Sequence, residues 1–226
     1  KKSHNYHHGH VGKIAASSVG AFPIMTTDMW RKASWVTHAG YRIVRHPLTV
    51  LTGYFTIFFL SITLLPLLKN PTRHWDSLLV LLGHGVLIST LWIIGGFDTA
   101  FFVILLPMTI ASMIGSYLFF AQHSFEDMHI LSAEDWTYHR AAMESSSYME
   151  LNRLMRWFSG NIGYHHIHHL NVRIPFYRLP EAMAAVPELQ SPVSTTLSPH
   201  DVRACFRCCL WDERLQRMVS YREASA

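Results

Sequence analysis

Two histidine clusters of identical spacing hold the chemistry open to this sequence: His4-Asn5-Tyr6-His7-His8 near its start and His165-His166-Ile167-His168-His169 towards its end. Each reads HxxHH. Positions i, i+3 and i+4 of a helix share a face, so each cluster can aim three imidazoles at a common point. Uncharged imidazole nitrogen is a ligand for iron, zinc, copper or nickel. Two such faces brought together supply six nitrogens, more than a tetrahedral zinc uses, which points to a polynuclear site. With 16 histidines in 226 residues, chance gives far fewer than one such triple. A purification-tag remnant would be an unbroken run and would leave the second cluster unexplained. Histidines stacked at a surface without a metal are the plain alternative.

The solvent around those clusters follows from composition. Half of the chain is hydrophobic, only 15% is charged, and the mean hydropathy is +0.14. That is too apolar for an ordinary soluble domain and too polar for a chain made only of spans. Membrane helices joined to a water-facing part fit best. The net charge of +4 and pI near 9.1 suit the cytoplasmic face of a bilayer and an acidic protein partner. Nucleic acid is excluded as a partner, since no basic stripe interleaved with aromatics occurs.

Three uncharged runs must position the clusters: Pro47 to Leu68, Ser77 to Phe97, and Thr99 to Gln122. Each reaches the roughly 20 residues a membrane span needs. The last two are divided only by Asp98, preceded by Gly95-Gly96, and predict a helical hairpin with a lone acid at its tip. Arg31, Lys32, Arg42, Arg45, Lys69 and Arg73 precede the hairpin, and Arg140, Arg153, Arg156, Arg173 and Arg178 follow it. The positive-inside rule then puts both feet in the cytoplasm. Both histidine clusters share a metal site only if an even number of crossings separates them. Pro47–Leu68, with Gly53, Pro66 and basic borders, is therefore expected to be re-entrant or interfacial.

The remainder reads as cytosolic. A polar connection covers 5–41, with an amphipathic helix around Asp28–Tyr41. Helical periodicity covers 132–159, with Ser132 as its cap. A Ser/Thr/Pro linker spans 187–199, and an amphipathic helix occupies 200–226. The expected fold is all-α, an integral-membrane helical domain with a cytosolic helical cap. Cys205, Cys208 and Cys209 are expected as reduced thiols, because an odd count at close spacing suits no disulfide framework.

At this point His4-x-x-His7-His8, Gln122-His123-Ser124-Phe125-Glu126-Asp127 and Gly160-Asn161-Ile162-Gly163-Tyr164-His165-His166-Ile167-His168-His169-Leu170 resemble the integral-membrane fatty acid desaturase family. The continuation Arg173-Ile174-Pro175-Phe176-Tyr177-Arg178-Leu179 is similar to its bacterial and plastid acyl-lipid branch. The resemblance runs over about residues 3–180 and implies a domain over 1–186. In that family, histidine boxes hold two iron ions on the cytoplasmic side of a helical membrane domain. Carried over by position, His4, His7 and His8 match the second box and His165, His168 and His169 the third. His123 matches an additional ligand outside the boxes. The first box and the leading spans would lie upstream of Lys1, so the resemblance implies an N-terminally truncated chain that is inactive alone. His129-Ile130 stands where the family shows Tyr-Trp.

The implied reaction is O2-dependent insertion of a cis double bond into a fatty acyl chain. An unactivated methylene needs an oxidant no side chain provides, so a redox metal must supply it. Zinc cannot, having no redox chemistry. Electrons are expected from a ferredoxin or cytochrome b5-type donor, and the substrate from a membrane lipid or fatty acyl pool. The bacterial inner membrane is the favoured location over endoplasmic reticulum or plastid. Glu126 and Asn161 are candidates for orienting ligands by hydrogen bonds, or else a cap or surface groups. His166 is expected to support the ligands while pointing away from their face. His84, inside the second run, is expected to make a helix-packing hydrogen bond, and Arg173 and Arg178 to meet an anionic head group or donor. The alternatives are a histidine-box hydroxylase or ketolase of lipids, alkanes or carotenoids, and a non-enzymatic metal-binding membrane protein.

Overall fold

Capped short helices and a few two- or three-residue strands make up most of the computed structural model, which describes residues 2–14 and 22–225. The 15–21 part of the expected polar connection lies outside them. The chain divides into two units, Lys1–Arg45 with Leu118–Ala226, and His46–Tyr117.

In the first unit, α1 (Lys2–His8) carries the first histidine cluster. A short strand β1 (Met25–Thr26) leads into α2 (Thr27–Lys32) and α3 (Trp35–Val44). The expected single helix over 28–41 is two. The Ser34 hydroxyl accepts the Thr37 N–H at 3.2 Å and starts a new helix there, as an N-cap residue does.

The second unit is built of apolar helical segments, with charge confined to a few positions such as Lys69, Arg73, Asp76 and Asp98. It begins with α4 (Pro47–Leu51), continues as a π-wound segment Tyr54–Leu64, and ends in α5 (Leu65–Lys69). The stretch Tyr54–Lys69 would reach only roughly 24 Å at α-helical rise, and π winding shortens it further. A helical stretch Trp75–Ala121 follows, 47 residues long and apolar enough to cross a membrane, and its most apolar window is not buried by the protein. It comprises α6 (Trp75–Ala100), a π-wound turn Phe101–Leu105 and α7 (Leu106–Ala121). The stretch breaks at Gly96, with φ 76° and ψ 178°, a conformation open essentially to glycine alone. The break thus falls at Gly96, and Asp98 lies in the first turn of the helical segment that follows it. A carboxylate there faces the positive end of the helix dipole. Inside this unit the Tyr54 hydroxyl meets His84 Nε2, the expected helix-packing bond.

Back in the first unit come α8 (Tyr138–Glu144), β2 (Tyr148–Glu150), α9 (Arg153–Phe158), α10 (His165–Leu170) and α11 (Leu179–Ala185). The continuous helix expected over 132–159 does not form. Ser132 closes only a local turn, accepting the Asp135 N–H at 3.0 Å, and Thr137 caps α8 instead. Ser145, Ser146 and Ser147, all fully buried, follow α8: the first two donate to the His129 and Ala142 carbonyls at 2.6 Å each, as short polar side chains do, and the Ser147 hydroxyl pairs with that of Thr195 at 3.2 Å. The segment expected as a linker is built into the fold: β3 (Ser194–Thr196) pairs in parallel with β2. The C-terminal helix is shorter than expected. It is α12 (Pro199–Arg207), after which β4 (Leu210–Asp212) and β5 (Arg217–Val219) form an antiparallel hairpin. Leu210-Trp211 and Met218-Val219 are buried and suit a pleated surface, while Gln216 supplies the left-handed turn at φ 51°.

These ends are tied together. Parallel β1 adds to β4, and Trp30 and Tyr41 bury with Cys209, Leu210 and Val219. Arg45 is 2% exposed and is no surface charge, contrary to its place in the basic border above. Its guanidinium donates to the Pro23 carbonyl (2.9 Å), the Ser124 hydroxyl (2.9 Å) and the Cys208 carbonyl (3.2 Å). The three cysteines are free and buried.

Candidate metal centre

The fold of the first unit delivers seven imidazoles to one place. α1 carries His4, His7 and His8. His123 stands just past the end of α7. α10 carries His165, His168 and His169, and is held from several sides. Ile167 is fully buried among Tyr164, Leu179 and Leu189. The Tyr138 hydroxyl donates to the His169 carbonyl at 2.5 Å. The approach to α10 turns on Gly160 and Asn161, both left-handed at φ 59° and 57°. Gly163 then passes so close to β2 that a Cβ would stand 2.5 Å from the Met149 carbonyl. Glycine at 160 and 163 is therefore what lets the chain turn and dock before the histidines begin.

The imidazoles form two groups. His7, His123, His165 and His169 are one, and His4, His8 and His168 the other; within each group the ligand atoms lie within 4.8 Å of one another. Each HxxHH cluster is therefore divided and does not serve a common point, as the spacing alone had suggested. Helix geometry explains the division. At about 100° per residue, positions i and i+4 project about 40° apart, while i+3 stands about 100° from i+4. So α1 gives its i, i+4 pair (His4, His8) to one group and His7 to the other. Helix α10 gives its pair (His165, His169) to the second group and His168 to the first. The groups adjoin, with the His8 and His169 rings stacked at 4.2 Å.

Their internal distances fit a cation. His123 Nε2 lies 3.1, 2.9 and 3.1 Å from the Nε2 atoms of His7, His165 and His169. His123 Nδ1 faces the Ser145 carbonyl at 3.1 Å, an acceptor only, so that nitrogen carries the proton and Nε2 is a bare lone pair. One lone pair cannot accept three N–H donors. Two nitrogens each roughly 2.1 Å from one metal and at right angles to it stand about 3.0 Å apart, the spacing seen. Nδ1 of His165 and of His169 are buried without a partner, which leaves them free to hold the ring proton while Nε2 faces inward. The donor set is all nitrogen, without thiolate.

Electrostatics favour the ligand form. Burial, with the neighbouring histidines adding, pulls His7 down to about 2 and His8 to about 3. His123 falls to about 4 by burial, against the opposing bond to Ser145, and His168 to about 4. His165 and His169, wholly enclosed, lie well below the usual histidine value. His4 is lowered as well, by burial first. At neutral pH these rings are uncharged, as metal binding requires.

The three supporting candidates are placed elsewhere. Glu126 is half-exposed, 3.9 Å from Arg207, and bonds no histidine of the groups. Asn161 uses its side-chain amide to donate to the Phe176 carbonyl at 3.1 Å; its contribution to α10 is the left-handed turn. His166 does point away, its Nε2 3.3 Å from the Leu189 carbonyl, where it anchors α10 to the turn at 187–189. What sequence reasoning missed is the buried run Ser145–Ser147, whose first carbonyl fixes the His123 tautomer. Three consecutive serines beyond a helix were the available signal.

Two adjoining all-histidine groups that could each hold a metal ion, set in a mostly helical chain with a long apolar helix, define the class of protein. The comparisons give the family. The chain matches the family described as fatty acid desaturase over residues 1–197. It is also 31% identical over 221 residues to a protein named fatty acid desaturase from Bacillus subtilis (strain 168). That alignment covers 97% of this chain and 62% of the relative, so the chain spans less than two thirds of that protein's length. The chain belongs to the fatty acid desaturase family, a family of oxidoreductases.

Proposed function

We propose that this chain carries the metal-binding part of a membrane acyl desaturase, with His4, His7, His8, His123, His165, His168 and His169 as ligands to two iron ions. The observation that carries the reading is the convergence of the two histidine groups, seven neutral imidazoles whose ring nitrogens cluster within 4.8 Å in each group. When bound, the irons supply the redox power that removal of two hydrogens from an unactivated acyl chain demands, with O2 as oxidant and a protein electron donor. The chain's own residues do the rest. Burial keeps the rings unprotonated, Ser145 sets the proton of His123 on Nδ1, and Tyr138 and Ile167 hold α10 in register with α1.

The apolar unit is read as membrane-embedded. Its long helix leaves Ile93 and Ile94 more than three-quarters exposed, at 84% and 80%, which water would not tolerate along a whole stretch. The chain leaves the histidine unit at Arg45 and returns at Leu118, so it crosses the bilayer an even number of times. The two legs about Gly96 account for an even count, with the shorter Pro47–Lys69 segment not crossing. The Arg and Lys residues that flank the apolar unit in sequence support reading the histidine groups as cytoplasmic.

The test is expression of the complete protein with iron, followed by Mössbauer spectroscopy and lipid analysis. A coupled ferric pair together with a new cis double bond in membrane acyl chains is expected. A new hydroxyl or carbonyl would move the reading to a sibling hydroxylase or ketolase, and stoichiometric zinc without iron would end it.

A further inference from the structure

The stretch between α9 and α11 presents aromatic rings to solvent that the metal centre does not use. On α9, Leu154, Trp157 and Phe158 stand at i, i+3 and i+4, and so on one face. The following turn adds Phe176 and Tyr177. All five protrude, from Phe176 at 60% exposed to Trp157 at 76%. They form one surface, because the Phe176 ring lies over Gly160, where a Cβ would be 3.4 Å away, and Asn161 ties down the Phe176 carbonyl. Between Arg153 and Arg178 the sequence holds four arginines and no acidic residue. Arg156 donates to the Tyr148 hydroxyl at 3.1 Å and Arg178 to Glu181 at 2.8 Å, while Arg153 and Arg173 are exposed.

We propose that this face is a membrane-interface anchor, with Trp157, Phe158, Phe176 and Tyr177 sunk into the head-group layer of an anionic phospholipid bilayer and Arg153 and Arg173 on its phosphates. Trp and Tyr concentrate at that depth because their rings are apolar and their polar edges remain wet. Arginine pairs with phosphate through its planar fork. Charge complementarity selects the occupant: an acid-free arginine rim suits an anionic surface, and protruding rings suit a soft interface better than a preformed groove. The inference rests on the membrane reading of the apolar unit and adds a second point of attachment, in the unit that carries the histidines. It holds α10, which follows α9 within a few residues, at the bilayer surface from which an acyl chain arrives.

The test uses the full chain in nanodiscs of phosphatidylcholine with and without phosphatidylglycerol. Spin labels go on Trp157→Cys, Tyr177→Cys, Ile93→Cys and Leu215→Cys, with the unsubstituted chain as the blank for its buried thiols. Labels at 157 and 177 are expected to be reached by oxygen and shielded from a water-soluble nickel reagent. Their depth should be roughly 5–10 Å into the interface, increase with phosphatidylglycerol, and lose that increase when Arg153→Gln and Arg173→Gln are combined. The label at 215, on the far hairpin, should stay in water. Lipid exposure at 93 with water exposure at 157 and 177 would overturn this inference alone. Water exposure at 93 would overturn the membrane reading and the inference with it. Labels at 157 and 177 that are equally immobile in lipid-free detergent would point to a protein contact and overturn the anchor.

Discussion

His7 and His123, 116 positions apart in sequence, stand with their Nε2 atoms 3.1 Å from each other. His123 Nε2 is a bare lone pair with three such nitrogens around it; it can accept from only one of them, and a cation would satisfy all of them together. His123→Ala should therefore halve the iron retained per chain, because it opens the four-histidine group and leaves His4, His8 and His168 intact. Glu126→Gln should leave iron unchanged. Metal analysis of both variants after gel filtration checks the contrast, and equal losses would sink the assignment of His123.

Acid should dismantle the metal-free centre from above its folded pKa values. The rings are held neutral in the fold, His7 at about 2, His8 at about 3 and His123 at about 4, against about 6.5 in the unfolded chain. The unfolded state then binds more protons, so stability rises with pH. It should be complete above about pH 6.5 and decline steadily as pH falls towards 4. Thermal unfolding of the metal-free protein in detergent at a series of pH values reads this, and a flat profile between pH 7 and 5 would refute it.

Arg45→Ala should cost about 3 kcal/mol or more, since it strands two buried carbonyls and the Ser124 hydroxyl without their charged donor. Arg45→Lys should recover only part of the loss, because an ammonium cannot fork to three acceptors. Denaturation midpoints of the two variants provide the comparison. Restoration to the parent value by lysine would show that charge alone, and not the fork, matters.

Gly96→Ala should destabilise the apolar unit by roughly 1–3 kcal/mol, because a side chain there is forced into a region reserved for glycine. Gly83→Ala, inside α6 with open space around its Cα, should stabilise slightly by helix propensity. Opposite shifts in melting temperature are the expected result.

Much of this was legible in the sequence. Residue type and spacing identified the histidines that the fold gathers, and the apolar runs located the long helical stretch. Hydropathy drew attention to Asp98 because it registers charge, whereas the break in the helical stretch needs a positive φ and falls at Gly96. The divided histidine clusters were readable in principle from the angle between i+3 and i+4, but a shared face was taken as a shared target. The C-terminal hairpin was hidden by the charged, helix-favouring residues around it. Leu210 and Val219 are strand because β1 and Tyr41 receive them, a long-range contact that local periodicity does not contain. Arg45 looked like a border charge for the same reason.

Because α1 and α10 each feed both histidine groups, the two proposed metal positions are not independent modules. A single inserted residue between Tyr6 and His7 would swing His7 and His8 by about 100° relative to His4, unplugging one contribution to each group at once. Indels in either histidine helix should therefore abolish both metal positions together, and the spacing within these two short helices should tolerate residue exchange at Asn5 far better than any change in length.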